Sequence, residues 1–385
     1  MTTKPRAITG SAITIPDQTM AGPSPETACA VLRIDLDAIV ANWRLLGTRH
    51  PDGPVAGVVK ADAYGLGAGP VTAALYRAGC RHFFVAQLNE ALAIRSHAPE
   101  AMIGVLSGVV PGTETAYLMH GITPVLCSLP EIEAWQRLAR RNGRALSAMV
   151  QVDTGMHRLG LSQCDVQSLR DEPMRLDGLE ILYVLSHLVA SEEPADPKNV
   201  QQVERLAAAR RLLPPAPVSF ANSSGVFLGA RWGSDLARGG AALYGINPTP
   251  EAPNPMRPVV RLMARVLAVR DVPTGDSVGY NGTWSASRPS RIAVAGIGYA
   301  DGLSRALSNK GRGYSNGRAL PLVGRVSMDL TTFDATDHPD VAPGDWLEII
   351  GPHQTLEAIA RVCDTNAYEV LTSLGRRFAR VYHSA

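Results

Sequence analysis

The sequence predicts a closed barrel of eight parallel strands with covering helices, followed by a smaller, mostly antiparallel β domain. From Val31 to about Gly245, short apolar runs alternate about eight times with longer amphipathic runs. This alternation is typical of parallel strands joined by crossover helices. Beyond Pro248 the apolar runs are short, rich in β-branched residues and separated by turn sequences, as in antiparallel hairpins. The length of 385 residues accommodates one large barrel and a second domain.

The elements of the barrel follow one another in a regular order. The first apolar run is VLRIDL, and Asp37 behind it is placed to cap a helix that contains Trp43. Four further strand–helix pairs are predicted from VAGVVKADA with PVTAALYRAG, HFFVA with NEALAIRSHA, MIGVLSG with TETAYLMHG, and TPVLCS with LPEIEAWQRLARRNGR. The remaining strands are LSAMVQVD, LEILYVLSH and VSFANS, with the helix NVQQVERLAAARRLL before the last of them.

A proline-rich segment marks the end of the barrel. NPTPEAPNPMRP has five prolines in twelve residues, which indicates an extended boundary. The strands after it are predicted in VVRLMARVLAVRDV, SRIAVAGI, ALPLVGRVSMDLTTFD and DWLEII, with a helix at TLEAIARVCD. We therefore divide the chain into a flexible leader over residues 1–30, a barrel over 31–255 and a β domain over 256–385.

Composition excludes several classes of function. The net charge is +2, and the 37 basic residues are dispersed, so no nucleic-acid surface is expected. No apolar run reaches the ~18 residues of a membrane span. The apolar stretch from Ala12 to Ile15 is too short for a secretory signal, and we expect a cytoplasmic protein. The odd number and wide spacing of the cysteines predict reduced thiols and no metal site; they are Cys29, Cys80, Cys127, Cys164 and Cys363.

Lys60 is the first candidate for chemistry, because it ends the apolar run VAGVVK. The carboxyl ends of barrel strands open onto the active site, where a desolvated lysine can act as a Schiff-base nucleophile. A strand-end lysine taken alone is more often structural or solvated. The hydroxyl of Tyr64 and the glycines Gly65 and Gly67 directly behind it favour a phosphorylated cofactor beside the lysine.

The run VVKADAYGLGAG resembles the lysine motif of the alanine racemases, which use pyridoxal phosphate. The resemblance extends from about Val31 to Tyr382. Further motifs recur in the same order: VDTGMHRLG, SHL, ANSSG, ARGGAALYG, VGYNGTW, GYADG, GRVSMD and AYEVLTSLGRR. Family membership implies a (β/α)8 barrel and a C-terminal β domain, which periodicity favours independently. It also implies a homodimer whose active sites use residues of both chains.

The resemblance assigns a set of residues to the cofactor. Lys60 would hold pyridoxal phosphate and, once released, act as one catalytic base. Arg238 would face the ring nitrogen; an arginine gives the ring no full proton, so the ring remains a weaker electron sink. The other implied contacts are His187 near Arg238, Asn222 in the neighbouring loop and, at the phosphate, Tyr64, Ser223, Gly240, Ala241 and Tyr368.

The resemblance also assigns residues to the substrate. Racemisation removes a proton on one face and returns it on the other, so Lys60 needs an opposite partner, for which the match is Tyr280. A tyrosine needs a cationic neighbour or hydrogen bonds to act as a base near neutrality, and His187 or Arg158 is expected to supply it. Arg158, the backbone amide of Met328 and Tyr299 are the implied substrate-binding groups.

The sequence departs from the family at two positions. Asn281 follows Tyr280 where the family commonly has glycine. Gln151 stands seven positions before Arg158, where many members carry a lysine modified to an anionic carbamate. A neutral glutamine orients an arginine more weakly, so Asp153, Asp329 or a chloride ion is expected to substitute.

These residues together predict a racemase that interconverts L- and D-alanine, for cell-wall synthesis or for D-alanine breakdown. A serine or broader-specificity racemase remains an alternative, because one hydroxyl changes discrimination only modestly. A non-catalytic carrier of pyridoxal phosphate needs neither Tyr280 nor the second domain. A decarboxylase on the same barrel would lack the GYNGTW and VSMD elements.

Overall fold

A computed structural model describes residues 23–229, 232 and 234–384. The predicted leader falls outside the described residues for positions 1–22. The described chain begins with strand β1 (Ala30–Asp35) and helix α1 (Leu36–Arg49). None of the helices in this part of the protein is long and apolar enough to cross a membrane.

Eight parallel strands form the barrel, as predicted. Their order is β8-β7-β6-β5-β4-β3-β2-β9, and two backbone hydrogen bonds join its two ends, from Leu236 to Val218 (3.1 Å) and from Arg238 to Ala221 (2.8 Å). The strands are β2 (Val55–Val58), β3 (His82–Val85), β4 (Met102–Val105), β5 (Thr123–Leu126), β6 (Leu146–Gln151), β7 (Leu179–Leu185), β8 (Val218–Ser219) and β9 (Ala237–Gly239).

Helices follow the barrel strands and carry recognisable end signals. The cap of α1 is Asp35, whose Oδ1 accepts the amide of Ala38 at 2.8 Å, and not Asp37 as the sequence predicts. Asp37 lies inside the first turn, where a negative charge faces the positive helix end favourably. The other helices of this domain are α2 (Lys60–Tyr64), α3 (Ala68–Arg77), α4 (Leu88–Arg95), α5 (Glu114–Met119), α6 (Leu129–Asn142), α7 (Gln163–Asp171) and α8 (Pro197–Arg210).

The second domain is built on a mostly antiparallel sheet of order β15-β14-β17-β10-β1-β18, with β13 pairing β10 and β16. A small hairpin joins β11 to β12. The strands are β10 (Val260–Val272), β11 (Ser277–Val278), β12 (Trp284–Ser285), β13 (Ser290–Ala295), β14 (Arg312–Ser315), β15 (Arg318–Pro321), β16 (Thr331–Asp334), β17 (Trp346–Ile350) and β18 (Ala379–His383). Two helices, α9 (Leu356–Cys363) and α10 (Ala367–Thr372), complete the domain.

Strand β1 lies in this second sheet, although the sequence division assigns its residues to the barrel. It pairs antiparallel with β10 and parallel with β18. The barrel ring is already complete with β2–β9, so the apolar side chains of β1 need another apolar surface. Leu32 and Ile34 are fully buried in the core cluster that runs through both domains, so this strand packs into the apolar core that the two domains share.

Candidate active site

A cavity of about 970 Å³ opens at the carboxyl ends of the barrel strands, the position at which barrels carry their active sites. It contains ten of the thirteen residues that the sequence nominates. They are Lys60, Tyr64, Arg158, His187, Asn222, Ser223, Arg238, Gly240, Ala241 and Tyr368. They follow strands β2, β6, β7, β8 and β9 or come from the second domain, so only the closed fold brings them together.

Lys60 begins α2, an unusual left-handed turn directly behind β2. Residues 61–64 have φ between 52° and 55°, a conformation that costs L-residues about 1–2 kcal/mol each. Two carboxylates bind backbone amides of this segment. Asp62, within the turn, accepts the amide of Ala68 at 2.7 Å, and Glu90, in α4, accepts the amide of Ala61 at 2.6 Å. Strain of this kind persists only where surrounding contacts enforce it.

The environment of Lys60 favours its uncharged form. Burial lowers the pKa of its amino group, and the guanidinium groups of Arg158 and Arg238 lower it further, while Glu90 acts in the opposite direction. Desolvation and like charges both disfavour an ammonium ion. A larger share of neutral amine, which is the nucleophilic form, is therefore present near neutrality than at an exposed lysine.

Arg238 is a fully buried cation bonded to neutral acceptors. Nη1 donates to the carbonyl and the hydroxyl of Ser219, both at 2.7 Å, and Nη2 donates to the Ser186 carbonyl at 2.7 Å and to Nδ1 of His187 at 3.2 Å. Burial lowers the pKa of Arg238 to about 10, so it remains charged at neutral pH. These four bonds fix the guanidinium against the cavity wall. None of the four acceptors carries a negative charge, so the bonds do not neutralise the arginine.

His187 is neutral in this setting. Burial, then the charges of Arg238, Arg158 and Lys60, lower its pKa to about 3. Because a guanidinium only donates, Nδ1 of His187 is the acceptor and the proton sits on Nε2. The expectation that His187 supplies a cationic field for Tyr280 is therefore wrong, and Arg158 remains the candidate.

Backbone amides and hydroxyls converge at the other end of the cavity. Oγ of Ser223 accepts the amides of Gly240 (3.0 Å) and Ala242 (3.2 Å). A Cβ built on Gly240 would lie 2.8 Å from the hydroxyl of Tyr64, so only glycine fits. The Tyr64 ring stacks on Tyr244 at 4.6 Å between centroids. Such a set of donors suits an anion.

Two predicted residues join loops or domains. Oδ1 of Asn222 accepts the hydroxyl of Ser191 (2.9 Å) and the amide of Gly225 (2.8 Å), which links the loops after β7 and β8. Tyr368, from α10, donates its hydroxyl to Glu192 at 2.5 Å. Sequence reasoning missed Glu192, because nothing local indicates a pairing across 176 positions.

Arg158 lies on the cavity wall without the anion that the family motif would place beside it. Nε2 of Gln151 donates to the carbonyl of Leu159 at 2.9 Å. Asp153 is engaged by three backbone amides and by His157. Asp329 pairs with Arg377 at 2.7 Å. Both acids therefore already have partners within the chain, and neither forms an ion pair with Arg158 among the described residues.

The remaining three candidates lie outside the cavity, on the surface of the second domain. The exposed fractions are 67% for Tyr280, 42% for Tyr299 and 53% for Met328. Tyr299 and Met328 lie on two backbone segments that are bonded to each other. The Tyr299 amide donates to the Ser327 carbonyl at 2.9 Å, and the Ala300 amide donates to the Met328 carbonyl at 3.0 Å. None of the three lines the cavity.

The departure at Asn281 is compatible with the backbone there. Asn281 has φ 61°, a left-handed conformation in which asparagine is among the best tolerated residues after glycine. The 3-10 turn that carries Tyr280 is therefore preserved without the glycine that the family commonly has at this position.

The chain matches two family descriptions in sequence order. Residues 34–248 match the alanine racemase N-terminal domain, and residues 259–382 match the alanine racemase C-terminal domain. The chain belongs to the alanine racemase family. Among curated members, the alanine racemase of Acidiphilium cryptum is 53% identical over 353 residues, 92% of this chain and 98% of that protein.

Other members of the family extend the comparison to function and structure. The catabolic alanine racemase of Agrobacterium fabrum is 48% identical, with 91% of each chain covered. The crystal structure of alanine racemase from Bartonella henselae, with covalently bound pyridoxal phosphate, has a TM-score of 0.90 at 44% identity, covering 92% of this chain and all of that one. The biosynthetic enzyme of Pseudomonas aeruginosa has a TM-score of 0.86 at 32% identity, covering 93% of this chain and all of that one.

Proposed function

We propose that this protein is a pyridoxal-phosphate-dependent alanine racemase that interconverts L- and D-alanine. One observation supports this most directly: Lys60, whose pKa is lowered, and Arg238, which is buried, line the same cavity. The hydrogen bonds of Arg238 all go to neutral acceptors. The family relationship favours the same activity.

The residues present fit pyridoxal phosphate from end to end. The hydroxyls of Ser223 and Tyr64 offer donors to a phosphate, and the missing side chain of Gly240 leaves room for it. The positive charge of Arg238 faces the cavity at the place proposed for the ring nitrogen of the cofactor, and an electron-poor group suits that nitrogen. Lys60 supplies the amine for covalent attachment. We propose Asn222, Ala241, Tyr368 and His187 as the supporting contacts.

Bound pyridoxal phosphate would withdraw electrons from the substrate and acidify the proton on its α-carbon. Arg158 would bind the substrate carboxylate, whose planar geometry it matches. Nζ of Lys60 would then remove or return that proton on one face of the α-carbon. A second acid–base group must act on the other face, and we propose the hydroxyl of Tyr280.

Tyr280 does not line the cavity of its own chain, so we propose that it acts from a second copy of the chain. We propose a homodimer in which Tyr280, Tyr299 and Met328 of each copy cover the cavity of the other. Their exposure in the single chain supports this arrangement, as large exposed apolar groups in one patch mark interaction surfaces. The Met328 amide would assist Arg158 at the carboxylate, and a chloride ion would take the place of the family's carbamate beside Gln151.

The biological setting is proposed from the chemistry. We propose a cytoplasmic enzyme that acts on a free amino acid and binds neither nucleic acid nor membrane. D-Alanine would serve peptidoglycan synthesis or enter breakdown; the relatives include both a biosynthetic and a catabolic enzyme. The domain boundary at residue 255 remains part of this proposal, with strand β1 assigned to the sheet of the second domain.

The proposal is tested by adding pyridoxal phosphate and L-alanine to the purified protein and measuring D-alanine by chiral chromatography. Reduction with borohydride and peptide mapping then identifies the attached lysine. The chain has four lysines, Lys4, Lys60, Lys198 and Lys310, so the assignment is unambiguous. Label on Lys60 with D-alanine formation supports the proposal; faster turnover of L-serine would favour the broader-specificity alternative, and no turnover would contradict it.

A further inference from the structure

The left-handed turn behind Lys60 is enclosed by the far end of the chain. A Cβ on Gly65 would lie 2.6 Å from the carbonyl of Leu371, at α10, and a Cβ on Gly67 would lie 2.2 Å from the hydroxyl of Tyr382, in β18. Both glycines also have positive φ, 83° and 99°. The second domain therefore contacts the backbone of the turn with no space for side chains.

Two side chains of β18 bind the carbonyl groups at the end of this turn. Nη1 of Arg380 donates to the Gly65 carbonyl at 2.6 Å, and the hydroxyl of Tyr382 donates to the Leu66 carbonyl at 2.9 Å. The other arm of Arg380 donates to the Gly375 carbonyl at 3.1 Å. Both side chains are half-buried, and a guanidinium donor makes a stronger bond than a neutral one.

We propose that Arg380 and Tyr382 are positioning residues that hold the strained turn and thereby fix the amino group of Lys60 in the cavity. Glu90 binds the start of the turn and Asp62 binds the amide of Ala68 behind it, whereas the side chains of β18 bind the carbonyl groups at its end. Without the β18 contacts, left-handed residues relax towards commoner conformations. This inference rests on the proposed role of Lys60.

The position of Lys60 has a measurable consequence for its ionisation. Its amino group faces Arg158, Arg238, Glu90 and His187, and its pKa is lowered chiefly by burial. If the turn relaxes, burial and the repulsion from the guanidinium groups both decrease. The pKa of Lys60 should then rise towards the ordinary lysine value, and the neutral fraction at a given pH should fall.

The test compares Arg380→Met, Arg380→Lys and Tyr382→Phe with Arg376→Met, a control that removes an exposed arginine of the same segment. In the full chain without cofactor, amide exchange over residues 61–67 should accelerate roughly 10-fold in Arg380→Met, since a charged hydrogen bond is lost. Tyr382→Phe should give a smaller acceleration, and Arg380→Lys should retain most of the protection.

A second measurement follows Lys60 itself. The pH midpoint for reductive methylation of Lys60 should shift upward in Arg380→Met and stay at the wild-type value in Arg376→Met. With cofactor added, kcat should fall about 10-fold while KM for alanine changes less than about 2-fold, because Arg158 is untouched.

The outcomes separate the two proposals. If Arg380→Met lowers the thermal midpoint but leaves both the exchange over residues 61–67 and the Lys60 midpoint unchanged, Arg380 merely joins the domains and this inference is wrong. If borohydride reduction of the wild-type protein labels a lysine other than Lys60, the proposed function fails, whatever the exchange data show.

Discussion

The barrel cavity and the exposed face of the β domain hold their functional candidates in opposite ways. In the cavity, Arg238 is buried, His187 is half-buried, and a hydrogen bond joins the two side chains. On the β-domain face, Tyr280 and Met328 are more than half exposed. In the proposed homodimer, the groups of the cavity act within their own chain, whereas those of the β-domain face act at the mouth of the partner's cavity.

This difference separates two kinds of defect. A substitution in the cavity should damage the site of the chain that carries it. A substitution on the β-domain face should damage the site of the partner and leave the chain's own cavity able to bind the cofactor.

Lys60→Ala should abolish racemisation and the visible absorbance of the bound cofactor together. The amine that attaches the cofactor and the base on one face are then both missing. Chiral chromatography and an absorbance spectrum measure the two losses. Lys198→Ala, at the rim of the same cavity, is the matched control and should retain both; normal turnover by Lys60→Ala would remove Lys60 from the site.

Tyr280→Phe should reduce racemisation in both directions by roughly 10²–10⁴-fold, the usual contribution of an acid–base group. Cofactor absorbance should be unchanged, because Lys60, which attaches the cofactor, is retained. Exchange of the α-proton of D-alanine, measured by NMR in deuterated water, should persist through Lys60.

Mixing the two defective chains tests which chain's site Tyr280 serves. A heterodimer of Lys60→Ala with Tyr280→Phe contains one site with both defects and one site with neither, so activity should reappear. Heterodimer formation is verified by native mass spectrometry. Absence of activity in verified heterodimers would mean that Tyr280 serves its own chain.

Arg238→Glu should slow racemisation roughly 100-fold, since a fixed charge in a dry site is replaced by its opposite. It should also raise the share of transamination, because a carboxylic acid can donate a proton to the ring and strengthen it as an electron sink. Pyruvate formation per D-alanine formed measures this share. An unchanged ratio in a variant with a native circular dichroism spectrum would mean that Arg238 does not face the ring.

Gln151→Leu should have the smallest effect. It removes the 2.9 Å bond to the Leu159 carbonyl, next to Arg158, and one neutral hydrogen bond contributes about 0.5–1.5 kcal/mol. KM for alanine should therefore rise about 2–10-fold with little change in kcat. A loss of kcat comparable to that of Tyr280→Phe would show that Gln151 does more than position this loop.

Local patterns in the sequence were sufficient to predict the two architectures. Strand–helix alternation up to Gly245 and turn-bounded β-branched runs beyond Pro248 predicted a barrel and an antiparallel domain, and both are present. Strand β1 was assigned to the wrong sheet, because its apolar pattern is compatible with either and pairing is a long-range choice. The helix cap was misplaced by two positions, since Asp35 and Asp37 carry the same signal.

The sequence nominated the candidate side chains: Lys60 through its place at the end of an apolar strand, and Arg158, Arg238 and Tyr280 through motifs that resemble those of the alanine racemases. Their burial, ionisation and hydrogen bonding depend on the tertiary structure. The lowered pKa of His187, the uncompensated charge of Arg238 and the Glu192–Tyr368 bond arise from burial and from contacts between distant segments. Desolvation and through-space charge depend on what surrounds a group in three dimensions, and that arrangement exists only after the chain has closed on itself.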